Sequence, residues 1–344
     1  MWAQPASPPM FYAPSPDSSH AAFAGSLAAD ALAMPVHWYY DRAALQADYG
    51  LVDHYLKPQS RHSGSILHRS RYLALNEKGD ILREQAVWWG QPEVHYHQFL
   101  QAGENTLNLQ LARALQALTA RTGSYDPDVW LECYIHFMLT PGMHRDTYVE
   151  EYHRAFFTHY AKGKNPRACG INDNHIGGLA QVPALCAALP SSDESTLRAT
   201  VKLHVSLTHQ NPGVLRAADT LTRLLLAIKA GQPLRPAIAA LGNDFFSEKK
   251  ALSWQNQPDP LIVGQQFSSA CYIGEAFPAA LYLAWKHAGD FSAGIIANTM
   301  CGGDNCHRGA VVGALLGAAS GVPARWSDEL LVPVPAAVPG ALGS

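Results

Sequence analysis

The feature that most constrains the fold of this chain is a run of regularly spaced glycines near its C-terminal end. Gly309, Gly313, Gly317 and Gly321 recur every four residues, so they lie near one face of a predicted helix over Ala310 to Gly321. Glycine has no side chain, and a second backbone can therefore pack against that face at close range. We expect this helix to lie in the interior, in contact with another helix.

The residues just before this helix carry most of the reactive side chains. Met300 to Gly309 reads Met-Cys-Gly-Gly-Asp-Asn-Cys-His-Arg-Gly. The glycine pair lets the backbone approach a ligand, and the N-terminus of the helix favours an anion or a polar site. Asp304, Cys306 and His307 are residue types that bind metals, move protons or attack carbon. This loop is the first candidate for a functional site.

The periodicity of the remaining chain predicts an all-α fold, because few stretches alternate as strands do. We expect a single helical domain over residues 20–330, preceded by a flexible, proline-rich tail at 1–19 and followed by a C-terminal tail at 331–344. The main predicted helices are His20 to Met34, Leu109 to Thr119, Pro127 to Leu139, Tyr148 to Tyr160, Gly178 to Ala188, Glu194 to Thr208, Val214 to Ala230, Pro236 to Leu241, Ala270 to His287 and Asp290 to Thr299.

Composition excludes several classes of partner. The net charge is −3 and no basic run occurs, so nucleic acid and anionic membranes are not expected partners. The longest apolar stretch, near Ala310 to Val322, is too short and too rich in glycine to span a bilayer. The 6 cysteines form no paired framework, which indicates free thiols in a reducing compartment. We expect a cytoplasmic protein.

Four motifs, in the same order, resemble those of the ADP-ribosylglycohydrolase family. The glycine-glycine loop and its helix are similar to the family's C-terminal signature, Gly-Gly-Asp-Thr-Asp-Thr followed by small residues. Gly25 to Pro35 resembles the opening helix, Gly-x-x-x-Gly-Asp-Ala-x-Gly-x-Pro, and Thr208 to Pro212 fits Thr-His-x-(Asn/Asp)-Pro. Gly274 to Tyr282 is similar to the helix that precedes the signature. The resemblance spans Ala21 to Trp326 and implies an all-α hydrolase of glycosidic bonds.

The resemblance also implies a centre of two divalent cations held by hard oxygen ligands. The family takes these ligands from an acid after the opening helix, a Thr-Asp-Asp triplet and the Asp-x-Asp-Thr of the glycine loop. Here Thr106 and Asp304 match. The other positions hold His37, Leu107, Asn108, Cys306 and His307. Two divalent cations bring four positive charges, but Asp304 is the one carboxylate left at these positions, so we expect no dimagnesium or dimanganese centre.

Two kinds of chemistry remain open for the altered positions. One is a single zinc ion bound by Asp304, Cys306, His307 and His37, since zinc prefers thiolate and imidazole ligands. The other is metal-free, with Cys306 activated by a neighbouring histidine and the helix N-terminus. We assign Asp304, Cys306, His307 and Asn108 as catalytic residues. The expected substrate-binding residues are His97, Glu104, Asn105, Thr106, Asn174, His175, Asn305 and Arg308.

The function expected from these residues is hydrolysis of an N- or O-glycosidic bond to ribose in an ADP-ribose-like or nucleotide-derived substrate. Because most of the family's acids are lost, a relative that binds ADP-ribose-like ligands without catalysis, or that has a structural role, stays open. A thiol-based amidohydrolase is a third possibility, and only Cys306 favours it. The orientation of Cys306 toward or away from the cleft separates the two chemistries.

Overall fold

A computed structural model describes residues 18–338, and the regular secondary structure of this part of the chain is helical. No strand forms within these residues, which contain only isolated β-bridges such as His175 with Tyr272. The all-α prediction is therefore confirmed. The α-helices are α1 (Ser18–Ala33), α2 (Arg42–Tyr49), α3 (Leu107–Thr122), α4 (Pro127–Leu139), α5 (Glu151–Ala161), α6 (Val182–Ala188), α7 (Glu194–Ser206), α8 (Pro212–Lys229), α9 (Leu234–Leu241), α10 (Glu248–Trp254), α11 (Asp259–Leu261), α12 (Ile273–Lys286), α13 (Phe291–Met300), α14 (Asn305–Ser320) and α15 (Ala324–Ser327).

Helices α1 and α14 cross at the centre of the molecule with their backbones in contact. A Cβ atom added to Gly313 would lie 2.1 Å from the carbonyl oxygen of Gly25, and one added to Gly317 would lie 2.4 Å from that of Ala21. No real Cβ atom tolerates such distances, so these positions require glycine. The glycine face therefore packs against a neighbouring helix, as its spacing predicts.

The other long helices surround this pair. Helix α14 also packs against α8, α12 and α13, and α1 packs against α6. The main hydrophobic core runs from Ala22 to Leu330. The buried α1–α14 crossing holds the end of α1 and the start of α14 in fixed positions, and the polar cluster described below forms there.

The ends of the described chain differ from the predicted boundaries. Residues 1–17 of the predicted N-terminal tail lie outside the described residues, and Ser18 and Ser19 already belong to α1. Of the predicted C-terminal tail, residues 339–344 also lie outside. Residues 331–338 are irregular, but Arg113 donates to the carbonyl oxygens of Val332 and Pro333 at 2.8 and 2.7 Å.

Most predicted helices are present, with shifted ends. The helix predicted over Ala270 to His287 begins at Ile273, because residues 268–272 form an irregular segment of bends that reaches the polar cluster. The stretch predicted over Gly178 to Ala188 is divided into a 3₁₀ turn, Ile176–Leu179, and helix α6. None of the helices between residues 18 and 338 has the length and apolar character needed to cross a membrane.

Candidate functional site

The glycine-glycine loop joins three segments of the chain. Gly302 and Gly303 both have φ of +65°, and a Cβ on Gly303 would lie 2.1 Å from the carbonyl oxygen of Ser269. The backbone of Gly303 exchanges hydrogen bonds with residues 38 and 39, at 2.8 and 2.7 Å. Asp304 N–H donates to the Ser269 carbonyl at 2.9 Å. The loop therefore brings the residues after α1 and the segment before α12 to the start of α14.

Asp304 lies at the centre of this junction, and its two carboxylate oxygens have different surroundings. Oδ1 accepts from His37 Nε2 at 2.9 Å and from His307 Nδ1 at 2.6 Å. Oδ2 has no hydrogen-bond partner and lies 3.6 Å from His175 Nε2. The side chain is fully buried, which alone would raise the pKa of Asp304, but the charge and hydrogen bonds of the histidines hold it well below its usual value. Asp304 is therefore ionised, with one oxygen free to act on a ligand.

A hydrogen-bonded chain extends from Asp304 through two imidazoles to a second carboxylate. His37 Nδ1 lies 2.8 Å from His97 Nε2, and His97 Nδ1 is hydrogen-bonded to Asp146 Oδ1. Burial lowers the pKa of His37 to about 3, although Asp304 opposes this, so the ring is neutral. A neutral His37 donates to Asp304 through Nε2 and accepts from His97 at Nδ1.

On its other side, Asp304 is linked to Glu150 through His307. His307 Nε2 lies 3.2 Å from Glu150 Oε1. Burial alone would lower the pKa of His307, but the carboxylates of Asp304 and Glu150 raise it well above the usual value. Asn108 donates to Glu150 Oε1 at 3.0 Å, and its Nδ2 lies 2.8 Å from His307 Nε2. A protonated imidazole is thus held between two ionised acids.

The free oxygen of Asp304 faces the more accessible edge of the cluster, at His175 and Cys271. One ligand-type atom from each of Asp304, His175 and Cys271 lies within 4.8 Å of the others. His175 is 12% exposed, Cys271 is half-buried, and Tyr272 beside it is 55% exposed. Burial, aided by the charge of Asp304, raises the pKa of the Cys271 thiol to about 12. This edge, which we call the entrance, is the least buried side of Asp304's surroundings.

Comparison with known proteins decides the family. A sequence profile of the ADP-ribosylglycohydrolase family matches residues 14–337. The chain belongs to the ADP-ribosylglycohydrolase family. A solved structure described as an ADP-ribosylglycohydrolase-related protein complex has the same fold, with 21% identity, a TM-score of 0.60 and 92% of each chain covered. The search of curated proteins gives no match. The chain is thus a member of a hydrolytic family that acts on ADP-ribosylated substrates.

The side chains of the cluster differ from the hard oxygen ligands that a pair of divalent cations needs. Hard cations need several carboxylate or carbonyl oxygens, whereas imidazoles of His37 and His307 fill two of the expected positions. Both nitrogens of each ring already make polar contacts within the cluster. One ligand-type atom from each of His37, Asp304 and His307 lies within 4.8 Å of the others, a grouping that could hold a single ion. Both imidazoles are hydrogen-bonded to Asp304 Oδ1, at 2.9 and 2.6 Å.

The structure brings six of the thirteen predicted site residues together. Asp304, His307, Asn108, His37 and His97 form one buried cluster, and His175 lies at its entrance. Three residues were missed by sequence reasoning. Asp146 and Glu150 precede α5 without any motif, and Cys271 lies in a segment that was assigned to a helix. Asp146 lies just before the predicted helix Tyr148 to Tyr160 and Glu150 lies in its first turn, so no local signal marked either acid.

Cys306 lies away from the cluster. It is fully buried with Ala33, Met34 and Leu100, and its thiol donates weakly to the carbonyl oxygen of Asp30 at 3.7 Å. Burial raises its pKa well above the usual value for a thiol, so Cys306 is protonated. Cys306 is also absent from the metal-binding groupings that the described side chains form.

Several predicted substrate-binding residues have structural partners instead. Arg308 is fully buried and donates to Asn298 Oδ1 at 2.8 Å and to the Gly302 carbonyl at 2.9 Å, which fixes the glycine loop. Asn305 donates to the carbonyls of Val36 and Thr299. Glu104 is paired with Arg145 at 2.6 Å.

The predicted residues Asn105 and Thr106 bind a carboxylate of the protein itself. Asn105 Nδ2 and the Thr106 backbone donate to Asp30 Oδ2, both at 2.9 Å, and the Thr106 hydroxyl donates to Asp30 Oδ1 at 2.7 Å. Asn174 is exposed, and its carbonyl accepts from Ile273 at 2.7 Å. These residues shape the surroundings of the site without pointing a free polar atom at Asp304.

Proposed function

We propose that this protein hydrolyses a glycosidic bond to ribose, N- or O-linked, in an ADP-ribose-like or nucleotide-derived substrate, without a pair of divalent metal ions. One observation carries the proposal: Asp304 keeps an ionised, unpartnered oxygen that faces the entrance of the site. Leaving such a buried oxygen unpaired costs about 1–3 kcal/mol. That cost is offset when a ligand with positive character binds beside it.

Glycosidic bond cleavage develops such a positive charge. The transition state resembles an oxocarbenium ion, with charge at C1′ and the ring oxygen of the sugar. A fixed carboxylate in a water-poor site stabilises this charge more than it stabilises the neutral ground state. Asp304 would act on the sugar through Oδ2, while His37 and His307 hold Oδ1 and keep the group ionised.

The surrounding histidines hold several carboxylates together in the interior. His307 is protonated between Asp304 and Glu150, and the His37–His97 pair connects Asp304 to Asp146 by hydrogen bonds. We infer that these imidazoles replace the cations that other members of the family bind. His175, whose Nε2 lies 3.6 Å from Oδ2, is placed to bind a ribose hydroxyl at the entrance.

The test is hydrolysis of a panel of ribosylated compounds by protein treated with EDTA, together with elemental analysis of freshly purified protein. We expect turnover that survives chelation, no stoichiometric zinc, magnesium or manganese, and loss of turnover in Asp304→Asn. Cys306→Ala is the matched control, because Cys306 lies away from the entrance.

Two outcomes would contradict the proposal. Activity that disappears with EDTA and returns with magnesium or zinc would show that a metal is required. Thermal stabilisation by ADP-ribose without any product would favour the alternative function, a non-catalytic relative that binds such ligands.

A further inference from the structure

Hydrolysis of most glycosides needs an acid that protonates the leaving group. The proton donors around the entrance therefore indicate which leaving groups the site can release. His175 is the nearest candidate. Its Nδ1 accepts from the Gly177 N–H at 2.9 Å, which places the proton of the neutral ring on Nε2, toward Asp304. Burial lowers the pKa of His175 even though Asp304 opposes this. His175 therefore faces the site as a neutral imidazole, which donates hydrogen bonds but is a very weak acid.

The other groups near Asp304 Oδ2 are no better suited to act as the general acid. The Cys271 thiol, with its pKa of about 12, stays protonated at neutral pH, and burial together with nearby Asp304 also raises the pKa of the Tyr40 phenol. Asp173 Oδ1 accepts the backbone N–H of His175 at 2.9 Å, so this oxygen is turned toward the backbone. His307 is protonated, but both of its nitrogens are directed at carboxylates, at 2.6 and 3.2 Å.

The entrance thus combines a strong anion with the lack, among the described side chains, of an acid matched to neutral pH. General acid catalysis contributes about 10²–10⁴-fold to reactions that need it. The rate of hydrolysis does not depend on such an acid when the leaving group departs without a proton. A base attached to ribose through a quaternary nitrogen, as in a pyridinium riboside, is such a leaving group.

We propose that the preferred substrates are ribosides with a cationic, pyridinium-type leaving group. This inference rests on the proposed function, since it assigns a substrate class to the same Asp304 site. In the reaction the C1′–N bond breaks and its electron pair stays on the ring nitrogen, which becomes neutral. Water then bonds to C1′ and loses one proton to solvent, so the products are the free base, the ribosyl alcohol and H⁺.

The aromatic side chains of the entrance agree with a cationic ring. Tyr40 is 50% exposed; burial raises its pKa, and it is near enough to Asp304 and Cys271 for them to add to that rise. Tyr272 is 55% exposed, follows Cys271 in the chain and forms a β-bridge with His175. Cations are attracted to the faces of aromatic rings, with an energy of about 0.5–1 kcal/mol at exposed sites. A pyridinium ring at this edge would be attracted both to these faces and to the charge of Asp304.

The experiment compares four substrates with wild-type protein: nicotinamide riboside, NAD, inosine and a peptide with serine-linked ADP-ribose. Release of the free base or peptide is followed by chromatography, and each rate is divided by the rate of the uncatalysed reaction. We expect the two pyridinium compounds to be favoured by about 100-fold or more after this correction. A series of pyridinium ribosides with graded leaving groups should show rates that fall steeply as the leaving group becomes more basic.

The controls separate this inference from the proposed function. Asp304→Asn should abolish cleavage of the pyridinium compounds, whereas Cys306→Ala, at a position away from the entrance, should leave the rate within about twofold. If inosine or the serine-linked peptide has an equal corrected rate, the inference on the leaving group is wrong and the proposed function stands. If no compound is cleaved, the proposed function itself fails.

Discussion

Asp30 and Asp304 are both fully buried carboxylates at positions that belong to family motifs, yet their surroundings differ. Both oxygens of Asp30 are occupied, by donors from Asn105 and Thr106. In Asp304, one oxygen accepts hydrogen bonds from two imidazoles and the other accepts none. A carboxylate that is completely hydrogen-bonded within the protein stabilises the fold, whereas one with a free oxygen can act on a ligand.

The same difference is seen in their ionisation. Burial raises the pKa of Asp30, and the hydrogen bonds of Thr106 and Asn105 offset this only in part. For Asp304, the charge of His307 and the hydrogen bonds of His307 and His37 outweigh burial, so its pKa is lowered. A neutral donor network holds the first acid and a charged imidazole cluster holds the second. Position in a motif and depth of burial do not distinguish the two, but the partners of each oxygen do.

The largest expected effect comes from making the same change at both acids. Asp304→Asn should lower kcat/KM by about 100- to 1,000-fold, because it removes the charge that faces the sugar. Asp30→Asn places an amide among donors, so it should cost about 1–3 kcal/mol in the free energy of unfolding while the activity of the folded protein stays within a few fold. Urea unfolding and steady-state kinetics on both variants measure this. Equal loss of activity in two equally stable variants would contradict the distinction.

Glu150 offers a sharper test of the charged cluster. Glu150→Gln removes one of the two carboxylates that raise the pKa of His307, so that pKa falls in the variant. Since activity is expected to depend on protonated His307, the rate of the variant should decline as pH rises from 6 to 8, and kcat/KM at pH 8 should be about tenfold lower. The wild-type rate should stay flat over this range. Glu151→Gln, at an exposed neighbouring position, is the control. A flat profile for Glu150→Gln would mean that the charge of His307 is not needed.

Part of the cluster could be predicted from the sequence, because the two helices that contain its motifs pack directly against each other. The spacing of Gly313 and Gly317 predicts a close helix crossing, and that crossing brings His37 to Asp304. The acids Asp146 and Glu150 could not be predicted in the same way. They come from an irregular loop whose path depends on tertiary packing, and no local pattern marks them.

Cys306 shows a different limit of sequence reasoning. It is adjacent to His307 in the chain, but successive residues of a helix point about 100° apart. Both belong to the first turn of α14. His307 therefore faces the acids while Cys306 faces Ala33 and Leu100. Adjacent positions in a motif indicate a shared site only where the backbone is irregular.

Buried histidines that are not bonded to Asp304 provide the third prediction, on stability rather than activity. Burial lowers the pKa of His153 and His204 to about 3 and that of His62 to about 4. Their value in the unfolded chain is about 6.5, so each takes up a proton on unfolding below that pH. The free energy of unfolding is therefore fully present above pH 6.5 and is lost as pH falls toward the folded values, by up to about 1.4 kcal/mol per pH unit for each group.

Unfolding in urea at pH 7, 6 and 5 measures this loss. His204→Gln should reduce the slope of the unfolding free energy against pH by the contribution of roughly one proton, because Gln cannot titrate. His54→Gln, at a side chain that is 63% exposed, should leave the slope unchanged. A stability that is constant from pH 7 to 5 would mean that these histidines are already protonated in the folded protein.

The smallest effect is expected for Cys306→Ala, and it bears directly on the thiol chemistry that the sequence left open. The thiol is protonated, is enclosed by apolar side chains and makes one weak hydrogen bond at 3.7 Å to Asp30. Its removal leaves a small cavity that should cost about 1 kcal/mol in stability. Turnover should stay within twofold of wild type, as measured by initial rates with a pyridinium riboside. A large loss of turnover with unchanged stability would place Cys306 in the reaction after all, and would require helix α14 to rotate its first turn when substrate binds.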